Sequence, residues 1–176
     1  MMSIVKWLGL VLVIAVASHF LFVAALPSAL MSVLIGGASR QAGINTINHP
    51  PQITAESRLV VRPAPDLAYS SCAFDVSDGA VSLTLTQSTT YASLSLFADD
   101  TVNFFALNDR DVRGAETQIV IVRVGDRSTI IPPGAIRVEA PSNRGLALWR
   151  RVIPSPDAWP VIDEKRREVA CGPLAS

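Results

Sequence analysis

From Leu8 to Gly37 the chain carries no Asp, Glu, Lys or Arg, and apolar positions dominate. Behind that run the pattern changes to alternation. Val81, Leu83 and Leu85 alternate with Ser82, Thr84 and Thr86, and Leu94 and Leu96 alternate with Ser93 and Ser95. A period of two puts one set on each face of a half-buried strand. Residues 118–124 form a near-continuous β-branched run that suits a central strand. Shorter strand candidates are 58–62, closed by Pro63 and Pro65, then 71–76, 103–107, Ile130-Ile131 before Pro132-Pro133-Gly134, 136–140 and 146–153. Turn residues separate them, as at Ser77-Asp78-Gly79, Asn108-Asp109-Arg110-Asp111 and Gly125-Asp126-Arg127. Strands recurring about every 10 residues with turn chemistry between them predict a mainly β chain, an antiparallel sandwich or barrel. Residues 160–170 are rich in helix formers, with Pro160 tolerated in the first turn and Gly172-Pro173 as a stop, and predict one short helix after the sheets.

An uncharged apolar stretch of roughly 18 residues is a candidate membrane-spanning helix. This run is about 30 residues long and at 1.5 Å per residue would exceed the hydrocarbon core. Pro27 is the natural break, so the sequence predicts a span from Trp7 to about Leu26 and an interfacial stretch after it, making 1–37 an N-terminal anchor. Trp7 beside Lys6 suits the headgroup layer, and the cationic end before the span puts the N-terminus in the cytoplasm. A competing reading is a secretory signal cut after Ala15-Val16-Ala17. The apolar residues Phe20, Leu21, Phe22, Val23, Leu26 and Leu30 continue past that point and favour an uncleaved anchor. His19 lies inside the span, either as a functional group or as a neutral imidazole bonded to a neighbouring helix or carbonyl. Residues 38–57, which include His49-Pro50-Pro51, lack a sustained period and read as a linker. The folded domain is then 58–176.

The chain has 176 residues and a formal net charge of +0. One domain of about 120 residues can bury a single core, and neutrality leaves no footprint for nucleic acid. Both histidines, His19 and His49, fall outside 58–176, which removes Ser-His-Asp, Cys-His and imidazole-metal chemistry from that domain. The acidic pairs Asp75/Asp78, Asp99/Asp100 and Asp109/Asp111 coincide with turns, where Asp bonds its own backbone, rather than with a calcium site or acid/base pair. No metal and no cofactor is expected. Cys72 and Cys171 have no partner at ligand spacing. Paired, they would close a loop of about 100 residues, worth roughly 4.7 kcal/mol in the chain-entropy model, and would require an oxidising compartment. The alternative is two buried thiols in a cytoplasmic domain.

An ordered set of short motifs runs through the β region. Val61-Arg62-Pro63-Ala64-Pro65-Asp66-Leu67-Ala68-Tyr69-Ser70-Ser71 opens it, and Asp78-Gly79-Ala80-Val81 follows. Tyr91-Ala92-Ser93-Leu94-Ser95-Leu96 comes next, then Asn103-Phe104-Phe105. Pro133-Gly134, Ala140-Pro141-Ser142-Asn143, Leu148-Trp149-Arg150 and Asp157 close it. Taken in order over 58–157, the set resembles the domain of unknown function 1254 family. The resemblance implies a jelly-roll-like β-sandwich of uncharacterised function and singles out Asp66, Tyr69, Ser70 and Arg150. Pro65 and Leu67 stand where the family usually has Asn and Thr, so polar contacts from those two positions are not expected here. Longer relatives carry a second domain, of the family numbered 1214. Short membrane-anchored relatives share the present plan, which implies a separate companion protein that supplies that domain.

The leading expectation is a non-catalytic, single-pass protein of the bacterial inner membrane. Its periplasmic sandwich would bind a companion protein or a small ligand. Asp66, Tyr69, Ser70 and Arg150 either form a polar ligand site at one end of the sandwich or serve the fold, with Arg150 paired to Asp66 or another carboxylate. The alternative is an envelope hydrolase or lyase using a carboxylate/tyrosine/arginine cluster, for which a deep pocket with raised carboxyl pKa values would be the signature. A purely structural envelope component is the third reading.

Overall fold

The computed structural model of the chain describes residues 2–54, 56–57, 63–112 and 114–175. Helix α1 (Met2–Ala42) takes in the whole apolar run and passes through Pro27 without stopping. The expected break and interfacial stretch are therefore replaced by continuous helix. Pro27 forfeits one amide donor, but four residues later the sequence becomes amphipathic. Met31, Leu34, Ile35 and Ala38 follow the i, i+3, i+4, i+7 spacing of a single helical stripe. That stripe packs on Ala73, Phe97 and Leu146, burying Met31 and Ile35. This burial holds helical geometry beyond the proline. Between Ile4 and Val23 the large apolar side chains are exposed instead. The helix is long and apolar enough to cross a membrane.

Gly43 ends α1 in the left-handed region (φ 98°), its amide bonded to Ser39 O at 2.8 Å, the usual glycine C-terminal cap. Asn45, also left-handed at φ 54°, fastens the helix end to the sheet. Its amide donates to Ala73 O at 2.8 Å. Its side chain accepts from Asp75 N at 2.8 Å and donates to Asp75 O at 3.0 Å. Strand β1 (Ile47–Asn48) then pairs with β2 (Leu67–Asp75). Residues 38–57, read as a linker, thus include the last turn of α1 and an edge strand. The strand expected at 58–62 lies outside the described residues.

The remaining strands are β3 (Val81–Thr86), β4 (Ala92–Ala98), β5 (Asn103–Asn108), β6 (Glu116–Arg123), β7 (Ile136–Ala140), β8 (Arg144–Val152) and β9 (Cys171–Pro173). They form a sandwich of a five-stranded sheet, β1-β2-β8-β4-β5, and a four-stranded sheet, β7-β6-β3-β9. The mainly β sandwich expected from the alternation is present, but the second sheet is mixed because β6 and β7 pair in parallel. Ile130-Ile131 forms no strand. It belongs to the β6–β7 crossover, which Arg137 holds by donating to the carbonyls of Asp126 and Thr129. The C-terminal helix, α2 (Trp159–Arg166), is shorter than 160–170. Thr84 draws the chain out of it, donating N–H to Ala170 O at 3.1 Å and accepting from Ala170 N on its hydroxyl at 2.8 Å. Gly172-Pro173 is part of β9, not a helix stop.

Phe74, Leu83, Leu85, Leu94, Leu96, Ile119, Ile121 and Trp149 fill the space between the sheets. Each buried aliphatic or aromatic side chain contributes about 1.5–3 kcal/mol. Trp149 Nε1 donates across the sandwich to Thr84 O at 2.8 Å. The Cys72–Cys171 disulfide links β2 to β9 with Cα atoms 6.5 Å apart. It closes the sandwich on the β1/β9 flank.

Candidate functional site

Strand alternation decides where the four singled-out polar residues go. Tyr69 pairs with Arg150 and Ser70 with Trp149 in the β2–β8 register. Tyr69 and Arg150 therefore share the outer face of the five-stranded sheet, while Ser70 points inward beside the core. Asp66 lies just before β2 with its side chain exposed, and its carbonyl accepts from Ile153 N at 2.8 Å. The structure brings Tyr69 and Arg150 together and leaves Asp66 and Ser70 apart from them. The Tyr69 hydroxyl accepts from Ala64 N at 3.0 Å. Arg150 donates Nη2 to Ser95 Oγ at 2.6 Å and forms no ion pair with Asp66. Its Nε and Ser93 Oγ are buried without a hydrogen-bond partner among the described residues. Arg150 lying across β4 accounts for why Ser93 and Ser95 are buried although they alternate with the core leucines.

The inner face holds a second polar group that the sequence did not announce. His49 Nδ1 is 2.8 Å from Ser70 Oγ. The expectation that both histidines lie outside the folded unit is thus corrected for His49, which β1 carries against β2. Arg166, on α2, is the hub beside it. This buried guanidinium donates to the carbonyls of Tyr69 and of Pro50 (2.7 Å) and pairs with Asp163, Nε to Oδ1 at 2.7 Å. It also lies 5.1 Å over the ring of Trp159. Burial would raise the Asp163 carboxyl, but hydrogen bonds from Arg167 and Arg166 outweigh it and hold the pKa low. Arg151, also buried, donates to Thr86 Oγ1 at 3.0 Å, and burial pulls its pKa down. Ser70, Arg150, Arg151 and Arg166 border a cavity of about 10 Å³, room for about one water.

Burial, then the Arg166 and Arg167 charges, push the pKa of His49 below 6.5, with Asp163 opposing. The native protein therefore resists a proton that the unfolded chain accepts. Its stability is full above the unfolded pKa and declines as pH falls through 6.5 toward the lowered native value. Urea unfolding measured from about pH 7 to pH 5 should show that decline, and His49→Gln should flatten it. An unchanged profile in the variant would remove His49 as its cause.

The acidic pairs serve turns. Asp75 accepts from Ser77 N at 2.8 Å and pairs with Arg144 at 2.7 Å. Asp100 accepts from Val102 N at 3.0 Å, and Asp111 accepts from Asn108 N at 3.1 Å. Among the described residues, no three His, Cys, Asp or Glu side chains gather as a metal site. His19 sits in the apolar part of α1, edge-on to Phe20.

A broad cleft lies on the flank opposite the disulfide. Strands β5 and β7, the sheet edges among the described residues, and the start of β6 bound a cleft of about 950 Å³, lined by Ala106, Leu107, Arg110, Glu116, Gln118 and Ile136 among others. None of Asp66, Tyr69, Ser70 and Arg150 reaches it.

The geometry defines a β-sandwich capped by the end of a long apolar helix and tied shut on one side. The chain belongs to the family described as "Protein of unknown function (DUF1254)", whose model matches residues 44–173. The fold is similar to the crystal structure of the VPA0106 protein from Vibrio parahaemolyticus, with a TM-score of 0.65 at 15% identity, covering 84% of this chain and 35% of that one. A putative uncharacterized protein from Burkholderia cenocepacia aligns at a TM-score of 0.47 and 13% identity, covering 64% of this chain and 33% of that one. The chain thus spans about a third of the length of these solved structures. No curated protein matches it.

Proposed function

We propose that the protein is a single-pass component of the bacterial inner membrane whose periplasmic sandwich binds a companion protein and catalyses nothing. The observation that carries this reading is the open flank. The candidate polar residues are divided between two faces, whereas a broad cleft lies between two strands that, among the described residues, form the outer edges of their sheets. Strand edges and a broad cleft of mixed polarity suit a protein partner. Lys6 before the apolar run supports a cytoplasmic N-terminus, and the disulfide supports an oxidising compartment for the sandwich. In VPA0106 the matching sandwich is part of a much longer chain. A separate protein carrying the 1214-family domain is the corresponding companion here.

The test is purification of the tagged full chain from native membranes in mild detergent. A companion should be retained in fixed ratio and lost from an Ala106→Arg variant that keeps its fold. A folded chain that comes out of native membranes alone would defeat the proposal. One observation favours the envelope-enzyme alternative: the Ser70–His49 contact, with Asp163 acting on the imidazole. Ser70 is only 1% exposed, so a fluorophosphonate should leave it unlabelled. Labelling that disappears in Ser70→Ala would favour a hydrolase instead.

A further inference from the structure

The geometry points to a second membrane contact, made by the sandwich itself: the β4–β5 turn, residues 99–102, rests against the headgroups of a zwitterionic bilayer. This inference rests on the reading of α1 as a membrane anchor. Its starting point is the direction in which α1 crosses the sheet. The C-terminal end is fixed over β1, where Gln41 Oε1 accepts from Asn48 Nδ2 at 2.8 Å. Further back, the helix packs on Ala73, Leu146 and Phe97. These three are cross-strand neighbours on β2, β8 and β4. From Gln41 back to Met31 the helix covers about 15 Å, and three strand spacings, β1 to β4, cover about 14 Å. The Met31 end therefore lies on the Phe97 side, and the exposed part of α1 leaves the sheet past β4.

The element at that exit is the β4–β5 turn. Leu26, the expected end of the apolar span, precedes Met31 by about 8 Å of helix, comparable with the depth of a headgroup layer. No flexible segment intervenes, because α1 is unbroken from Met2 to Ala42. The turn is built to keep its shape. Asp100 accepts from Val102 N at 3.0 Å, Asp99 N donates to Ser142 Oγ at 3.1 Å, and Thr101 sits in the left-handed region at φ 75°. Val102 is 54% exposed at its tip. Asp99 and Asp100 disfavour an anionic surface, while their carboxylates suit the ammonium of a phosphatidylcholine or phosphatidylethanolamine headgroup.

The contact is tested with the full, disulfide-intact chain in phosphatidylcholine nanodiscs that contain headgroup-nitroxide lipid. A fluorophore is placed in turn at Val102→Cys, at Val161→Cys and at Leu12→Cys. Val161 is exposed on α2, which packs at Ala68 and Ile153, the opposite end of β2 and β8. The Val102 label should be quenched several-fold more than the Val161 label. Equal quenching at those two sites, with Leu12 shielded from aqueous iodide, would overturn the contact and leave the anchor standing. Leu12 open to iodide would overturn both. In an Ile35→Asp background, which detaches α1 from the sheet, quenching at Val102 should fall to the Val161 level while Leu12 stays shielded. Persistent quenching at Val102 there would overturn the placement of the turn by helix docking.

Discussion

Gly145→Ala is expected to cost the sandwich about 3 kcal/mol or more, at the top of the range for overpacking, and Gly145→Val should leave little folded protein. Gly145 sits on β8 between Phe74 and Ala98 on its two neighbouring strands. An added Cβ would lie 2.3 Å from Phe74 Cζ and 2.3 Å from Phe97 O. Neither neighbour gives way cheaply. Phe74 is fully buried and meets Phe104 edge-on, with ring centroids 6.3 Å apart. Phe97 O is backbone, held in β4 beside a register shift between Leu96 and Phe97. Because this is a shortage of space and not a special backbone angle, a matched cavity should repair it. Phe74→Leu combined with Gly145→Ala should recover part of the loss, a coupling that a double-mutant cycle reads directly. Gly172→Ala, where a Cβ meets nothing within 4 Å, is the control and should shift stability by no more than about 0.5 kcal/mol. Urea unfolding of the full chain in detergent measures all of these. A Gly145→Ala protein as stable as the control would show that β4 and β8 can separate at low cost.

Gly145 also illustrates what the sequence displays and what it withholds. The strands that announce themselves are those with one wet face, β3 with Val81, Leu83 and Leu85, or with a fully buried β-branched run, β6. Their periodicity is a direct image of the environment. The parallel pairing of β7 leaves no such image, because alternation is the same in either direction. β9 is three residues long, too short for any period, and is fixed by a disulfide and by Thr84 rather than by its own pattern. The stripe Met31, Leu34, Ile35, Ala38 was legible in principle, but it follows Pro27 and an all-apolar run, which conceal where one burial environment ends and another begins. His49 escaped for the same reason as β1: a two-residue strand between loop residues looks like linker until its partner is known.

The candidate site was legible only as a set of residue types. Tyr69 and Arg150 do share a face, but one position of strand alternation turns Ser70 inward, and Asp66 stops short of β2. The inner cluster of His49, Ser70, Asp163 and Arg166 joins three distant parts of the chain, so no local motif contains it. Its hub, Arg166, is held by carbonyls of Tyr69 and Pro50, acceptors that every residue possesses and that sequence therefore cannot single out.

Removing the disulfide should be the other large effect. Cys72→Ser with Cys171→Ser is expected to lower unfolding stability by about 2–5 kcal/mol, the usual loss for a native bridge. The bond spans a sequence separation of 99, which in the chain-entropy model makes it one of the stronger constraints on the unfolded chain. The loss should be uneven. β9 is held to β3 by pairs at only Cys171, Gly172 and Pro173, with the bonds of Thr84 and Leu174 at its ends. Hydrogen exchange in the variant should therefore rise first across β9 and the end of α2, while β3 and β6, buried in the sheet centre, keep their protection. Uniform exchange would mean that the bridge acts on the whole sandwich at once. The bond also bears on the proposed topology. Cys72 is wholly buried and Cys171 half-buried, and forming their bond needs an oxidising compartment. Alkylation of the unfolded chain from native membranes should find no free thiol. Two alkylated cysteines would remove the strongest support for a sandwich on the far side of the membrane.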